Sequence, residues 1–310
     1  MQLTRRGFSA LALSAIAVRP GRAAEPIRFT TLAGIEYMVP MYAKELGLFE
    51  KRGVNVEMAI QPQAPLLLPA VVSGSLEIGV STAVQVAMAH EQGLDIVVVS
   101  GIGGTTSEHP ILDCVVRKGM NPQKPTDFVG KRVVTPGNNG TGYVMFVRYL
   151  MQGGVDPKSV TFVEAPFPRM GDLLRGGQVD AAVTVPPFTN RIIKAGIGDS
   201  FTFFVPTAEQ GYVLTSVYIA KRSWAEANID ALRKINDALQ EANDKMRADP
   251  KASAAFVVKT LKLPPDVVAA QPPPSTHPHF KLSDVQFWAD VAFEEKMTKK
   301  RVDAKDIVVM

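Results

Sequence analysis

Apolar residues along this chain alternate between short continuous runs, typical of buried strands, and longer segments with the spacing of a helix. The first copy of this pattern occupies residues 28–80. Its strand-like runs are 28–34, 56–60 and 76–80, and its helix-like segments are 37–46 and one that ends at Ser73-Gly74. The pattern predicts the order strand–helix–strand–helix–strand.

The same order of runs is repeated over residues 131–183. Gly53 and Gly154 close the first helix-like segment of each copy, where a left-handed C-cap favours glycine. Strands that alternate with helices of this length predict parallel sheets with helices on both faces. A solenoid needs three or more short repeats, so two long copies predict an α/β protein of two lobes. Because ligands bind beyond the carboxyl ends of parallel strands, we expect the site in a cleft between the lobes.

The remaining segments complete the two lobes. Lobe one is predicted to comprise residues 25–109 and 213–310, and lobe two residues 110–212. The crossings near 108–112 and 205–213 are expected to act as a hinge. Further expectations are a buried strand at 96–100, a loop at 101–106, strands at 111–117 and 201–205, a β-rich return at 212–220, and helices at 224–247, 250–261 and 282–297. These last three helices are expected to pack on the outside of lobe one.

Residues 1–24 have the features of an export signal. Arg5-Arg6 precede an uncharged apolar run at 8–18 and then the small residues Ala23-Ala24, which is the order of a cleavable signal. The residues around Arg5-Arg6 favour a twin-arginine signal, and an ordinary secretory signal is the alternative. Either interpretation predicts a periplasmic protein that is cleaved near Ala23-Ala24.

Once this segment is set aside, the net charge of the chain gives little information about its partners. The chain of 310 residues has 34 basic and 30 acidic side chains, but four of the arginines lie in the predicted signal. The remaining chain is therefore close to neutral, which gives no reason to expect a nucleic-acid partner. No apolar run is long enough to predict a transmembrane helix. The single cysteine, Cys114, lies in an apolar run and is expected to be a buried free thiol, with a reactive thiol as the alternative.

The sequence contains no recognisable catalytic or metal-binding motif. The Gly-x-Ser-x-Gly nucleophile elbow and the Cys/His spacing of a zinc site are both missing. Two acidic residues in equivalent positions, Glu77 and Asp180, come at the starts of strands, where we expect them to brace turns away from the cleft. We therefore predict no catalytic residue, no metal and no cofactor.

The loop after the first strand of the second copy is the strongest candidate for ligand contact. It reads Pro-Gly-Asn-Asn-Gly-Thr-Gly over residues 136–142. Glycines let backbone N–H groups approach a ligand, and Asn139 or Thr141 is the expected N-cap of a helix whose N-terminus favours an anion. The alternative is a glycine-rich turn without a ligand, and the ending of a P-loop is absent. The predicted ligand residues here are Asn138, Asn139, Gly140, Thr141 and Gly142.

The matching loop of the first copy contributes Gly34, Glu36 and Tyr37 to the predicted site. Tyr37 is expected either to form a wall of the cleft or to pack against its own lobe. Glu36 is expected either to pair with a cation of the ligand or to face water.

The last strand of each copy is followed by a second pair of candidate loops. Ser81 and Thr82 place hydroxyl groups at the start of a predicted helix. Their counterpart is the segment 184–188, in which Pro187 and Phe188 are expected to place an aromatic ring at the cleft edge.

Several of these segments together resemble one family. The export signal is followed by Gly-Leu-Phe-Glu-Lys-Arg-Gly-Val at 47–54, Leu-Pro-Ala-Val-Val-Ser-Gly-Ser-Leu-Glu-Ile-Gly-Val at 68–80, Gly-Lys-Arg-Val-Val-Thr-Pro-Gly at 130–137 and Gly-Gly-Gln-Val-Asp-Ala-Ala-Val at 176–183. This succession resembles the nitrate/sulfonate/taurine branch of the periplasmic substrate-binding proteins of ABC importers, over about residues 27–220. The ligand loops of that family fall on residues 34–37, 81–82, 138–142 and 187–188.

The resemblance implies a periplasmic binding protein type II fold, in which each lobe is a mostly parallel sheet flanked by helices. It implies a monomer that captures a small molecule, with sulfonates and carboxylates as candidates, by hinge closure and delivers it to a membrane permease. One alternative is an exported ligand-sensing protein. Another is an enzyme of thiamine pyrimidine biosynthesis with the same fold, although that likeness would imply a cysteine-rich motif and a cytoplasmic location.

Overall fold

The computed structural model describes residues 25–62, 64–106, 112–203, 212–269, 273–274 and 276–310. The predicted export signal and most of both predicted crossings lie outside these ranges. The strands are β1 (Ile27–Leu32), β2 (Val56–Gln61), β3 (Gly79–Ser81), β4 (Ile96–Gly101), β5 (Gly104–Thr106), β6 (Asp113–Arg117), β7 (Arg132–Thr135), β8 (Thr161–Glu164), β9 (Ala181–Thr184), β10 (Gly198–Phe201), β11 (Tyr212–Leu214) and β12 (Val217–Lys221). The helices are α1 (Val39–Glu45), α2 (Leu67–Ser73), α3 (Ala83–Glu91), α4 (Thr141–Gln152), α5 (Phe167–Arg175), α6 (Phe188–Lys194), α7 (Arg222–Ala227), α8 (Ile229–Ala248), α9 (Pro250–Leu261), α10 (Pro265–Ala269) and α11 (Leu282–Glu294).

Ten of the twelve strands form two sheets with the same internal order, and β5 and β11 form a separate two-stranded sheet. In the first sheet β1 pairs in parallel with β2, and a parallel bridge between Phe29 and Ile78 joins β1 to β3. Strand β12 then lies antiparallel between β3 and β4. In the second sheet β7 lies in parallel between β8 and β9, and β6 lies antiparallel between β9 and β10. Each sheet therefore has one antiparallel strand, and the prediction of two mostly parallel sheets is confirmed.

Two carboxylates brace the sheets at matching positions. The backbone N–H of Arg28, in β1, donates to the Glu77 carboxylate at 2.8 Å, and that of Arg132, in β7, donates to the Asp180 carboxylate at 3.0 Å. Glu77 also pairs with the Arg28 guanidinium, and Asp180 pairs with Arg117 at 2.7 Å. Both carboxylates lie at strand starts, where the sequence predicted a bracing role for them.

Gly154 follows the end of α4 as predicted, whereas α1 ends at Glu45 and Gly53 closes a separate 3₁₀ turn, Glu50–Arg52. Gly53 has a φ of 72° and Gly154 a φ of 73°, so both have left-handed backbone conformations. A side chain would strain the backbone there, which explains why both copies keep a glycine.

Three predicted elements need correction. Residues 104–106, expected as loop, form β5 and pair antiparallel with β11. The sequence Gly-Thr-Thr does not alternate apolar and polar residues, so it gives no local sign of a strand. These residues form a strand because β11 pairs with them. The strand expected at 201–205 is β10, which begins at Gly198 because its ladder with β6 starts opposite Arg117. The helix expected at 224–247 is interrupted at Asn228, between α7 and α8.

The C-terminal helices pack on the first sheet and its helices, as predicted. Helix α8 contacts α1, and α11 contacts α3 and β11. The indole N–H of Trp288, in α11, donates to the carbonyl of Leu214. The end of the chain pairs with β4, since Val98 N–H donates to Ile307 O at 2.8 Å and Val309 N–H donates to Val98 O at 3.0 Å. These C-terminal residues therefore support both the first sheet and the crossing strand β11.

Ion pairs connect elements that flank different sheets. Arg148, in α4, contacts Glu294 at 2.9 Å and Glu295 at 3.0 Å at the end of α11. Lys194, at the end of α6, pairs with Asp266 of α10. Both pairs join lobe two to the C-terminal helices, so these helices also contact the second lobe.

The core of the second sheet contains the single cysteine. Cys114, in β6, is fully buried, and burial raises the pKa of its thiol well above the usual value. A thiol of raised pKa is a poor nucleophile. The prediction of a buried free thiol is confirmed.

Candidate functional site

A cavity lies where the carboxyl ends of the two sheets face each other. Its walls come from the segments that follow β1, β2, β3, β7, β8 and β9, together with Gly103, Leu112 and the residues between β11 and β12. The space enclosed, including its open mouth, is about 1060 Å³. This is the position that parallel-sheet topology predicts for a ligand.

Eight of the twelve residues predicted to contact a ligand line this cavity, and four do not. The lining residues are Gly34, Glu36, Tyr37, Ser81, Thr82, Gly140, Thr141 and Gly142. The four that lie outside its wall are Asn138, Asn139, Pro187 and Phe188.

The two asparagines lie on the outer side of the glycine-rich loop. Asn138 is exposed, and its backbone N–H donates to the Glu164 carboxylate at 2.6 Å. Asn139 has a φ of 63°, a left-handed turn that asparagine tolerates. The N-cap of α4 is Gly140, so the expectation that Asn139 or Thr141 would cap this helix is wrong.

On the side of the second sheet, the aromatic ring at the cavity wall is Phe167 rather than Phe188. Phe188 is buried at the start of α6 and stacks on Phe167, with ring centroids 5.9 Å apart and an interplanar angle of 13°. Pro186 lines the cavity in place of Pro187. Phe167 lies after β8, and no loop at the end of that strand was among the predicted ligand loops. The sequence feature that could have indicated it is an aromatic residue directly after Pro166.

The first turn of α4 is held close to β9 at the cavity wall. A Cβ atom on Gly142 would lie 2.7 Å from the Val183 side chain, so only glycine allows this approach. Thr141 donates its hydroxyl to the Thr215 carbonyl, which belongs to the return segment of the other lobe. The N–H groups of a first helical turn lack partners within the helix, so this turn can hold an anion or another acceptor.

The first lobe contributes a second helix N-terminus, that of α3. Thr82 is its N-cap and accepts a hydrogen bond from the Gln85 N–H at 3.2 Å. The Ser81 hydroxyl donates to the Gln85 side-chain oxygen at 2.9 Å. Ser81, Thr82 and Gln85 all line the cavity.

Tyr37 combines the two roles that the sequence left open, because it lines the cavity and is anchored within lobe one. Its hydroxyl shares a hydrogen bond of 2.8 Å with the Ser216 hydroxyl, and its carbonyl accepts one of 3.0 Å from Thr31. Burial raises the pKa of Tyr37 from 10.0 to about 12, and the hydrogen bond to Ser216 partly opposes this shift.

Replacing Tyr37 with phenylalanine is expected to reduce the fall in the free energy of unfolding at alkaline pH. Because the pKa of Tyr37 is raised in the folded state, its contribution is fully present below pH 10 and is lost as the pH rises towards about 12. The loss is about 1.4 kcal/mol per pH unit between these values. Urea unfolding of both proteins across this window should show a shallower fall for Tyr37→Phe, and equal slopes would contradict the prediction.

Thr184 is a cavity residue that the sequence analysis placed in a candidate loop without selecting it. It is the last residue of β9, it is fully buried, and its hydroxyl has no hydrogen-bond partner in the protein. A buried hydroxyl without a partner is unfavourable, and among the described cavity residues Thr184 is the one with such a hydroxyl. The sequence feature that could have identified Thr184 as a cavity residue is its position directly after the strand-like run at 179–183.

Ser216 and Thr215 were also missed. They lie between β11 and β12 and line the cavity, and the Thr215 hydroxyl donates to the Gly103 carbonyl at 2.8 Å. The β-rich segment 212–220 gave no local sign that these two residues would lie opposite Tyr37 and Thr141.

None of the helices in the described parts of the chain has both the length and the apolar character needed to cross a membrane.

The family described as NMT1/THI5 like matches residues 35–253. The chain is 25% identical over 311 residues to a putative aliphatic sulfonates-binding protein of Escherichia coli strain K12, with 95% of this chain and 92% of that protein covered.

Two solved structures have a similar fold. One is the alkanesulfonate-binding protein SsuA from Xanthomonas axonopodis pv. citri bound to MOPS, with a TM-score of 0.75, 21% identity and coverage of 93% of this chain and 99% of that one. The other is the periplasmic nitrate-binding protein NrtA from Synechocystis PCC 6803, with a TM-score of 0.72, 14% identity and coverage of 92% and 86%. These similarities confirm the predicted two-lobed periplasmic binding protein fold.

Proposed function

Because the chain belongs to the NMT1/THI5-like family, we propose that it is the substrate-binding component of an ABC import system. In this role it captures a small organic molecule between its lobes in the periplasm and delivers it to a membrane permease. It acts as a monomer, with lobe one formed by residues 25–109 and 213–310 and lobe two by residues 110–212. Sulfonates are candidate ligands, as the names of two relatives indicate. Carboxylates are a second candidate class, because a helix N-terminus binds either anion.

The observation that carries this proposal is the cavity between the ends of two matching sheets. Two helix N-termini supply polar groups to it, and Phe167 supplies an aromatic surface. A few placed polar groups in a mainly apolar wall are typical of small-molecule sites.

Binding without catalysis is supported by the partners of the cavity hydroxyls. Ser81 donates to a side-chain amide, Thr141 donates to a backbone carbonyl, and Ser216 is bonded to a phenol. A nucleophilic hydroxyl needs an adjacent base instead. These groups therefore serve to shape and hold the site.

Closure of the lobes around the ligand is supported by contacts across the cleft. The hydrogen bond from Thr141 to Thr215 joins the two lobes at the cavity. The ion pairs of Arg148 with Glu294 and Glu295 join them on the outer surface. Opening would break both sets of contacts, and a ligand that touches both lobes would favour the closed state.

The proposal is tested by ligand-dependent thermal stability of the chain from Glu25 onward, unfolded and refolded to remove any molecule carried through purification. The panel comprises alkanesulfonates, carboxylates, amines and pyrimidines. A ligand at about one hundred times its dissociation constant should stabilise the protein by about 2.7 kcal/mol, a clear rise in Tm. A panel in which no compound raises the Tm would count against a substrate-binding role.

A further inference from the structure

Several of the side-chain donors in the cavity wall already have an acceptor within the protein. The Thr141 hydroxyl donates to the Thr215 carbonyl, and the Thr215 hydroxyl donates to the Gly103 carbonyl at 2.8 Å. Among the described residues that line the cavity there is no arginine, lysine or histidine. A side-chain donor for the ligand must therefore be sought among the uncharged groups that remain.

The side-chain amide of Gln85 is such a group. Gln85 lies in the first turn of α3, lines the cavity and is half-buried. Its oxygen accepts a hydrogen bond of 2.9 Å from the Ser81 hydroxyl. The two N–H bonds of its amide have no acceptor within the described part of the chain. Because an amide nitrogen only donates, these N–H bonds can be satisfied by an acceptor atom of a ligand.

The start of α3 has a sequence that would normally use this side chain differently. Thr82-Ala-Val-Gln85 has the order of a capping box, in which the glutamine oxygen accepts from the backbone N–H of the N-cap threonine. Thr82 does accept from the Gln85 backbone N–H, at 3.2 Å, but the Gln85 oxygen is bonded to Ser81 instead. The side chain therefore pairs with the residue before the cap, and this pairing sets the direction of its amide.

Ser81 is well placed to hold the amide in one orientation. It is the last residue of β3, it is buried, and its backbone pairs with Val217 of β12. The oxygen and the nitrogen of an amide lie on opposite sides of the same carbon atom. A hydrogen bond from Ser81 to the oxygen therefore leaves the nitrogen of Gln85 to face the cavity that this residue lines.

We propose that the Gln85 amide donates to an acceptor oxygen of the ligand, and that Ser81 is the positioning residue that selects this orientation of the amide. The opposite orientation would offer an oxygen to the cavity and would select a donor group such as an amine. This inference rests on the proposed binding function and names a residue that determines specificity at its site. Gln85 was not among the residues that the sequence predicted to contact a ligand.

The test measures the binding of butane-1-sulfonate, butyrate and butylamine by calorimetry. Gln85→Leu removes the polar atoms of the side chain at a similar volume, and Gln85→Glu replaces the donor with a carboxylate. Gln92→Leu is the matched control, because Gln92 is exposed at the C-cap of the same helix and lies outside the cavity wall. Unchanged Tm values of the ligand-free variants would show that their folds are intact.

The wild-type chain and Gln92→Leu should bind at least one of the two anions more tightly than butylamine. Gln85→Leu should bind that anion about 10-fold or more weakly, since a hydrogen bond to a charged group is lost. Gln85→Glu should bind it more weakly still at neutral pH, because a carboxylate cannot donate and repels an anion.

The role of Ser81 is tested through its dependence on Gln85. Ser81→Ala should weaken binding of the same anion, and Ser81→Thr, which keeps a hydroxyl, should retain it. Combined with Gln85→Leu, Ser81→Ala should cause no further loss, because Ser81 acts only by orienting the amide.

Equal affinities of Gln85→Leu and Gln92→Leu for the anion would overturn the assignment, and so would additive losses for Ser81→Ala and Gln85→Leu. Tighter binding of butylamine than of both anions would also overturn it, because the amide would then present its oxygen. In each of these cases binding itself would still support the proposed function. Absence of wild-type binding to all three compounds would likewise overturn the assignment, and the broader Tm panel would decide separately whether the chain binds any small molecule.

Discussion

Replacing Ala64 with tryptophan is expected to lower the affinity for any cavity ligand by about 100-fold or more while leaving the fold intact. Ala64 lies in the cavity wall on the first lobe, at the edge of the core, and it is partly exposed, so the indole can extend into the cavity. Its neighbour Pro65 packs near Gly137 of the facing lobe, where a Cβ atom would lie 3.3 Å from the Pro65 ring. An indole at this point would fill the mouth of the cavity and keep the lobes apart.

The matched control is Leu66→Trp, two residues along the same 3₁₀ turn. Leu66 is 50% exposed and does not line the cavity, so a tryptophan there adds the same bulk without entering the site. Calorimetry with the best ligand of the Tm panel should show normal affinity for Leu66→Trp. Equal affinities for the two variants would mean that the ligand binds elsewhere.

Replacing Trp288 with alanine is expected to reduce the free energy of unfolding by about 3–5 kcal/mol. Trp288 is almost completely buried in α11, between α3 and the crossing strand β11, and its indole N–H donates to Leu214. The substitution leaves a cavity in the core and the Leu214 carbonyl without its partner. This is a large part of the total stability of a typical domain, so the variant should unfold at a much lower urea concentration.

Phe293→Ala, on the same helix, is the control for this substitution. Phe293 is 38% exposed and faces Arg301 at the surface, so its loss should cost about 1 kcal/mol or less. Urea unfolding should separate the two variants clearly. Similar midpoints would show that α11 contributes little to the core beneath the crossing strand.

The sequence allowed the repeated framework to be predicted because each copy carries its own local signals. Gly53 and Gly154 mark the ends of helical segments, and their left-handed conformations are a local requirement. Glu77 and Asp180 could be placed at strand starts by comparing the two copies. Such features depend on neighbouring residues or on the repeat itself, which a sequence displays directly.

The missed features depend on contacts between distant segments. Strand β5 exists because β11 pairs with it, and about a hundred residues separate them. Ser216 reaches Tyr37 across 179 positions, and the choice of Phe167 over Phe188 depends on how α5 and α6 stack. Helix periodicity and turn residues carry no information of this kind, so the loops of the site were predicted better than the individual side chains within them.

The position of β12 also determines the order in which the two halves can be completed on the ribosome. The second sheet is continuous in sequence from β6 to β10 and is complete once Phe201 has been synthesised. In the first sheet, β3 and β4 remain unpaired on their facing edges until Lys221 has emerged, because β12 lies between them and pairs with both. The nascent chain therefore carries a finished lobe two and a lobe one with two unpaired strand edges. Unpaired edges attract other strands, so this interval is when the newly made protein is most exposed to aggregation.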